Sequence, residues 1–405
     1  MNFEFFISKR ISKKATGSFS SNIIRIATIA VSLSTFIMIL SACIVNGFQD
    51  ELEKKLFGFW GHIQIVDYNT NNFNDAIPVA SSDTLESTLN TLSNIKSYHK
   101  FASKAGIVKS KTQIEGVVLK GIGPDYDWEF LNSKIVDGAP LVLKDNDTSK
   151  SILISKTIAN RLDIKIGDPL KFYYIKKSTR GKKFKVVGIY HTGMEEFDKL
   201  YCFSDIKQIQ SLNKWDKHLV SGYEIFVNDI KHLSKTDEVL FKSLPMYLKS
   251  HSIYDLFPTM FDWIDLTVRN KYIILTIVIL VTAFNMMTVL LILVLERTNM
   301  IGILKALGAK DWAIQKIFIY NVAYITSIGL LVGNISALAF AWSQKHFGWI
   351  KLPEKSYYLS EVPISIDWDT ILILNGIAIS CILIILVLPT LVVKKISAIK
   401  AIRFD

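Results

Sequence analysis

Four long apolar runs constrain this chain more than any other feature. They lie at about Ile23–Val45, Tyr272–Leu295, Ile317–Ala341 and Ile371–Val393. As helices, each is long enough to cross roughly 30 Å of hydrocarbon. Mean hydropathy is +0.30 although 20% of the residues are charged, so membrane spans must share the chain with a sizeable polar domain. Lys and Arg outnumber Asp and Glu by 47 to 36 in the 405 residues. Several of these bases sit beside apolar runs, where the positive-inside rule and anionic lipid account for them, and no nucleic-acid partner is expected. Three cysteines do not make a disulfide framework, so the polar domain must be held by its own core.

Read in order, residues 1–22 form a cytoplasmic amphipathic segment, with Phe3, Phe5, Phe6, Ile7 and Ile11 among Lys9, Arg10, Lys13 and Lys14. The first span covers 23–46. Within it Leu40-Ser41-Ala42-Cys43 matches a lipobox, but the basic region ahead is long for a signal peptide and the apolar run continues past the cysteine. Cys43 is therefore read as a small residue in a helix interface. Residues 47–268 form one large exported domain, since long loops cross irrespective of charge.

Inside that domain Gly61–Val66 alternates like a strand, and Thr84–Ile95 reads as a helix with Leu85, Leu89 and Leu92 on one face. Further strands are expected at Ala105–Val108, Ile114–Gly121, Ser151–Ile154, Leu170–Ile175, Phe184–Tyr190 and Gly222–Val227. Helices are expected at Lys156–Leu162, Ser204–Leu212 and Leu233–Leu244, and Ser178–Lys183 reads as a solvated basic hairpin. Mixed strands and helices in this order indicate an α+β domain. Gly193, Glu196 and Asp198 read as a solvated loop beside a strand. Aromatics at Tyr254, Phe257, Phe261 and Trp263 lead back to the membrane interface.

The second span covers 269–295. Asn285 lies near its middle and needs a partner in hydrocarbon, from helix packing or from substrate. Residues 296–316 connect to the third span, 317–341, whose Gly329 and Gly333 make a small face for close helix packing. Asp311 is expected to cap that helix. A polar segment, 342–370, precedes the fourth span, 371–393, and the basic tail 394–405 returns to the cytoplasm. In the connector Ile301, Leu304 and Leu307 recur every three residues, and Gly308 stands where a helix would take a left-handed stop. Glu296 and Arg297 mark the lipid exit, and Lys305 and Lys310 favour the cytoplasmic side. Two readings stay open from spacing alone: a short helix that receives a push from a cytoplasmic partner, or an interfacial turn that anchors helix ends.

The connector Glu296–Lys310 resembles the E-[KR]-x-x-x-I-[GA]-I-L-[KR]-A-[LM]-G-A signature of the FtsX/MacB/LolC superfamily of ABC-transporter permeases. Asn46-Gly47-Phe48 with Glu51 resembles the N-G-F-x-x-E after the first span of the LolC/LolE lipoprotein-releasing type, and Ala283-Phe284-Asn285 its A-F-N-I segment. Ile166-Gly167-Asp168, Gly193, Glu196 and Asp198 resemble motifs of the family's periplasmic core. Tyr357-Tyr358 through Pro363 to Trp368 resembles its short outer loop. The ending Ala398 to Arg403 resembles P-x-x-A-L-R, with Ala398 at the proline position and Ile402 for leucine.

This resemblance implies a membrane protein of four transmembrane helices with a large α+β periplasmic domain between the first and second, a type VII ABC permease in the bacterial inner membrane with both termini cytoplasmic. It further implies extraction of lipoproteins from the outer leaflet and delivery to a periplasmic LolA-like carrier. Glu296, Arg297, Ile301, Gly302, Leu304, Lys305, Leu307 and Gly308 would couple to LolD-like ATPase subunits, and Asn46, Phe48, Phe284, Asn285 and Met287 would line the substrate cavity. A second permease subunit, identical or different, and membrane lipids complete the assembly. No phosphate-cradling loop, H-E-x-x-H or G-x-S-x-G occurs, so the chain is expected to bind no cofactor and to catalyse nothing, with ATP and Mg on the partner ATPase. A MacB-like efflux permease and an FtsX-like module controlling a cell-wall hydrolase are the rival readings.

Overall fold

The computed structural model describes residues 19–71, 74, 76–110, 113–145, 147–175 and 179–395. Most of the expected N-terminal segment, Ser178 of the basic hairpin and the tail from residue 396 lie outside the described residues. The elements are α1 (Phe19–Trp60), β1 (Ile63–Asp67), β2 (Val79–Ala80), α2 (Asp83–Thr91), β3 (Ile95–Lys109), β4 (Ile114–Ile122), α3 (Glu129–Ser133) and β5 (Ile135–Gly138). There follow β6 (Ser151–Ser155), α4 (Lys156–Leu162), β7 (Pro169–Ile175), β8 (Thr179–Tyr190), α5 (Glu195–Asp198), β9 (Tyr201–Asp205), α6 (Ile206–Asn213), β10 (Leu219–Val220) and β11 (Gly222–Val227). The chain ends with α7 (Leu233–Ser243), β12 (Leu248–Ser252), α8 (Ile253–Leu256), α9 (Pro258–Glu296), α10 (Thr298–Ala306), α11 (Asp311–Phe347), α12 (Glu354–Tyr357) and α13 (Trp368–Lys395).

Contacts divide the chain into two compact units. The helical unit takes the described residues up to Asp50, Trp263–Ile350 and those from Val362 on; the sheet unit takes Glu51–Asp262 and Lys351–Glu361. Among the described residues, four helices are long and apolar enough to cross a membrane by length and composition: α1, α9, α11 and α13. In the helical unit α11 lies against α1 at Gly329 and Gly333. A Cβ on Gly329 would fall 2.7 Å from Val31 Cβ, and one on Gly333 would fall 2.6 Å from Thr35 Cβ. The two glycines thus permit a helix approach that alanine would obstruct. Cys43 is buried beside Ala337 and Ala341, the packing role expected of it. Asn334 and Asn375 exchange side-chain amide hydrogen bonds of 2.9 and 3.0 Å between α11 and α13.

In the sheet unit ten strands pair in the order β12-β1-β11-β3-β4-β9-β6-β8-β5, and β7 pairs with both β3 and β8. The pairings β3-β4-β9-β6-β8-β7 therefore return to β3 and close a ring of six strands. Leu170, Phe172 and Tyr174 of β7 and Phe184 and Val186 of β8 are buried at alternate positions, the period expected of strands with one face inward. Closure removes edges that a flat sheet would leave unpaired.

Several boundaries differ from the sequence reading. The helix expected over Thr84–Ile95 is α2, which starts beyond Ser82, whose Oγ accepts from Leu85 N, and is over before β3 begins at Ile95. Ser204 lies in β9 rather than a helix; Asp205 caps α6 by accepting from Lys207 N at 2.9 Å. Thr179–Lys183 is strand, not hairpin turn, with Lys183 opposite Lys171 and Gly181 opposite Tyr173. Asp311 is the first residue of α11 and not its cap, which is Lys310. Residues Trp342–Phe347, expected in a polar segment, continue α11.

His62 sits on the sheet unit's core side, where its Nδ1 accepts from Val227 N at 3.0 Å. Burial, reinforced by Lys96, pushes this imidazole down to about 4. A depressed folded value means that His62 favours folding fully above about pH 6.5, its unfolded value, and that this contribution is lost as pH falls from there toward about 4. The lost stability is on the order of 3 kcal/mol. Thermal unfolding of the detergent-solubilised chain should therefore show a smaller drop in midpoint between pH 7 and pH 4.5 for His62→Asn, which keeps an acceptor but cannot titrate; an unchanged drop would assign the acid sensitivity elsewhere.

Candidate functional site

The connector is helix α10, and its stop is built as a Schellman motif. Gly308 takes φ +86, its N–H donates to Lys305 O at 3.0 Å, and the Ala309 N–H donates to Leu304 O at 2.9 Å. Both bonds satisfy carbonyls that the helix end would otherwise orphan. Lys305 Nζ lies 3.0 Å from Asp311 Oδ1, tying α10 to the first turn of α11.

The three apolar residues spaced by three do not share one environment. Ile301 and Gly302 are buried, with Ile301 in a cluster that includes Ala27, Leu290, Val294, Ile314 and Phe318. Leu304 packs partly against the same cluster. Leu307 is 79% exposed and Ile303 54% exposed. Glu296 is exposed and closes α9; Arg297 occupies the N-cap position of α10 without a side-chain capping bond. One short helix thus carries an inward apolar stripe and a separate outward one.

The residues expected at a substrate cavity fall into two groups. Asn46 accepts from Lys271 Nζ at 2.7 Å, and Phe48 packs edge-on against Trp263 with ring centroids 5.2 Å apart. Phe284 and Asn285 are exposed on α9, and Met287 is half-buried. Along one helix the 13 residues from Lys271 to Phe284 span roughly 20 Å, so the structure does not bring the two groups together within the chain.

The acidic stretch read as a solvated loop is partly a buried site in the sheet unit. Glu196 is exposed, but Asp198 is fully buried and accepts from Thr192 Oγ1 at 2.8 Å, from Thr192 N and from Gly193 N. Burial raises its carboxyl; the Thr192 and Gly193 bonds and His191 oppose that rise. His191 Nδ1 stands 2.9 Å from Asp198 Oδ2, and Nε2 stands 3.2 Å from Glu354. Lys55 Nζ donates to Tyr358 O at 2.7 Å, and Tyr358 Oη to Glu196 at 3.4 Å. Residues 351–361, from the segment between α11 and α13, are thereby pinned to the sheet unit at three points.

A second buried network lies at the end of α1. Lys120 Nζ sits 2.7 Å from Glu224 Oε1 with both side chains almost fully buried, and it donates to Phe59 O at 2.9 Å. Gln64 Nε2 donates to the same carboxylate oxygen at 3.0 Å. Burial pushes the Glu224 carboxyl up, against the pull of Lys120 and Gln64. Nothing in the local sequence announces this network, because Gln64, Lys120 and Glu224 occupy ordinary strand positions far apart in the chain.

These features define a membrane protein with an α+β core unit placed between its first two apolar helices. The model of the MacB-like periplasmic core domain matches residues 26–228, half of the chain, and that of the FtsX-like permease C-terminal region matches 272–398. The chain belongs to the MacB-like core family, joined to an FtsX-like permease C-terminal region. It is similar to lipoprotein-releasing system transmembrane protein LolC of Xylella fastidiosa strain Temecula1, 21% identical over 97% of this chain and 96% of that one. LolC of Neisseria meningitidis serogroup B is 23% identical over the same shares. LolE of Haemophilus influenzae is 22% identical, covering 92% of this chain and 93% of its own.

Removing one partner of a buried pair strands the other charge, which costs about 3–5 kcal/mol. Lys120→Met should accordingly lower the thermal midpoint sharply, and Lys120→Met with Glu224→Leu should recover much of the loss. A double variant as unstable as the single one would show that the pair stabilises beyond the cost of burying it.

Proposed function

We propose that this chain is the permease subunit of an ABC transporter that releases lipoproteins from the outer leaflet of the inner membrane and passes them to a periplasmic carrier. The observation that carries this reading is similarity along nearly the whole chain to LolC and LolE proteins. A MacB-like core alone would suit efflux or wall remodelling equally well; full-length likeness to lipoprotein-releasing proteins favours release.

In this reading both termini and α10 face the cytoplasm and the sheet unit faces the periplasm, as the basic flanks favour. Ile303 and Leu307 offer apolar knobs to a separate ATPase, which binds ATP and Mg. Ile301 and Gly302 face the other way, into the bundle of α1, α9 and α11, so a push on α10 reaches the helices that enter the membrane. The Schellman stop and the Lys305–Asp311 pair keep α10 from fraying under that load. Phe284, Asn285 and Met287 would face a second permease subunit and the acyl chains between them. Asn285 in hydrocarbon then finds its partner across that interface or in the substrate.

Mass spectrometry of the tagged chain purified in mild detergent should recover an ATPase together with triacylated lipoproteins. Recovery of an ATPase with an efflux adaptor or a wall hydrolase, and no lipoprotein, would move the chain to one of the rival functions. Leu307→Asp should abolish ATPase recovery and leave membrane insertion intact. It is a cleaner test than Leu304→Asp, because Leu304 also packs against the bundle. Undiminished ATPase recovery with Leu307→Asp would remove α10 from the coupling role.

A further inference from the structure

The sheet unit holds a pocket of about 430 Å³ that neither the transport reading nor the family match assigns. The residues lining it include the aromatics Trp60, Phe197, Tyr201 and Phe257. Trp60 stands edge-on to Tyr201 at 5.0 Å and tilted against Phe257 at 5.5 Å, and Phe197 lies 5.4 Å from Phe257. Glu196 and Asp255 supply carboxylates to the same pocket, and both residues are exposed. Among the described residues no lysine or arginine lines it, although the chain carries a net charge of +11. His251, also in the wall, adds no positive charge near neutral pH, since burial holds its imidazole below the usual range. Lys120 lies 5.0 Å from the Trp60 ring, but its charge is matched by Glu224.

Two wall residues have polar atoms that the described residues leave unmatched. Trp60 Nε1 and Gln64 Oε1 are buried and have no hydrogen-bond partner among the described residues. The side chains are 94% and 99% buried as residues, so the cost of leaving them unmatched is real. The orientation of Gln64 follows from its neighbour: its amide nitrogen must face the Glu224 carboxylate, which leaves the amide oxygen as the unmatched acceptor.

We propose that this pocket binds an organic cation, a primary ammonium or guanidinium on an apolar stem. Aromatic faces and carboxylates both attract such a group, and its stem suits the ring walls. The cation can come free, as a polyamine, or on a peptide as a Lys or Arg side chain. Gln64 Oε1 suits an N–H of either, whereas Trp60 Nε1 suits a carbonyl that only the peptide carries. Trp60 is the last residue of α1 and Phe257 immediately precedes α9, so an occupant touches the residues where two apolar helices end and begin. The proposal rests on the sheet unit alone and stands whether or not lipoproteins are the cargo.

The test uses the full-length chain in detergent, labelled with 5-fluorotryptophan, with the Trp60 resonance identified by its loss in Trp60→Phe. Spermidine, N-acetyl-lysine amide and N-acetyl-arginine amide are titrated against N-acetyl-norleucine amide. At least one of the three cations should shift the Trp60 resonance saturably while the norleucine compound does not. A larger response to the acetylated amides assigns a peptide-borne cation, and a larger response to spermidine assigns a free polyamine. Glu196→Gln, which keeps an acceptor for Tyr358, should weaken binding about fivefold, in keeping with a single exposed charge contact. Asp255→Asn is the second variant, since asparagine retains an acceptor for Ser252. An equal response to the norleucine compound, no response to any cation, or binding indifferent to both variants would overturn the proposal.

Discussion

A hydrocarbon interior offers no partner to a backbone amide or to a side-chain amide, and the helical unit is arranged around that constraint. Helices satisfy the backbone. What remains is to hold them together without a hydrophobic drive, since lipid is as apolar as leucine. The chain uses two devices. At Gly329 and Gly333 missing side chains let α11 approach Val31 and Thr35 of α1. At Asn334 and Asn375 two amides satisfy one another between α11 and α13. The first relies on dispersion at short range, the second on polar atoms that have nowhere better to go.

The sheet unit meets the opposite problem, because its core must exclude water. Ring closure through β7 solves part of this, and a dense aromatic cluster around Phe59 and Trp60 solves more. Into that cluster the chain places Lys120 and Glu224, whose desolvation is costly and whose mutual attraction offsets the cost only because the Phe59 carbonyl and Gln64 complete the hydrogen bonding. A hydrophobic pair would fill the same space. The charged pair additionally dictates how β4, β11 and the last turn of α1 meet, since each contributes one partner.

Legibility in the sequence followed the range of the physics. Apolar runs, the Gly308 stop and the strand at Gly222–Val227 depend on neighbours in sequence, and periodicity exposed them. Asp198 was misread as solvated because its burial depends on Thr192, His191 and Glu354, and Glu354 lies over 150 residues away. The basic run Thr179–Lys183 looked like a turn because its lysines suggest solvent; pairing with β7 makes it strand. Asp311 looked like a cap because of its type and place, yet Lys305 claims its carboxylate. In the connector, spacing put Ile301, Leu304 and Leu307 on one stripe. A helix of nine residues turns 100° per residue, so residues six apart diverge by about 120°, and Leu307 emerges on the far side from buried Ile301.

That divergence bears on how α10 can act. A helix whose apolar residues all faced the bundle would be an anchor, with only charges left for a partner to grip. A helix whose apolar residues all faced outward would be a lever without a fulcrum. Here Ile301 is seated among residues of α1, α9 and α11, while Ile303 and Leu307 stand clear of them. The nine residues of α10 and its C-cap Leu307 therefore present apolar surface in two directions, and the left-handed turn at Gly308 with the Lys305–Asp311 pair ties them to α11. Ile303 of the outward stripe and Ile301, seated in the bundle, are two residues apart on one helix, so no loop separates the exposed face from the packed one.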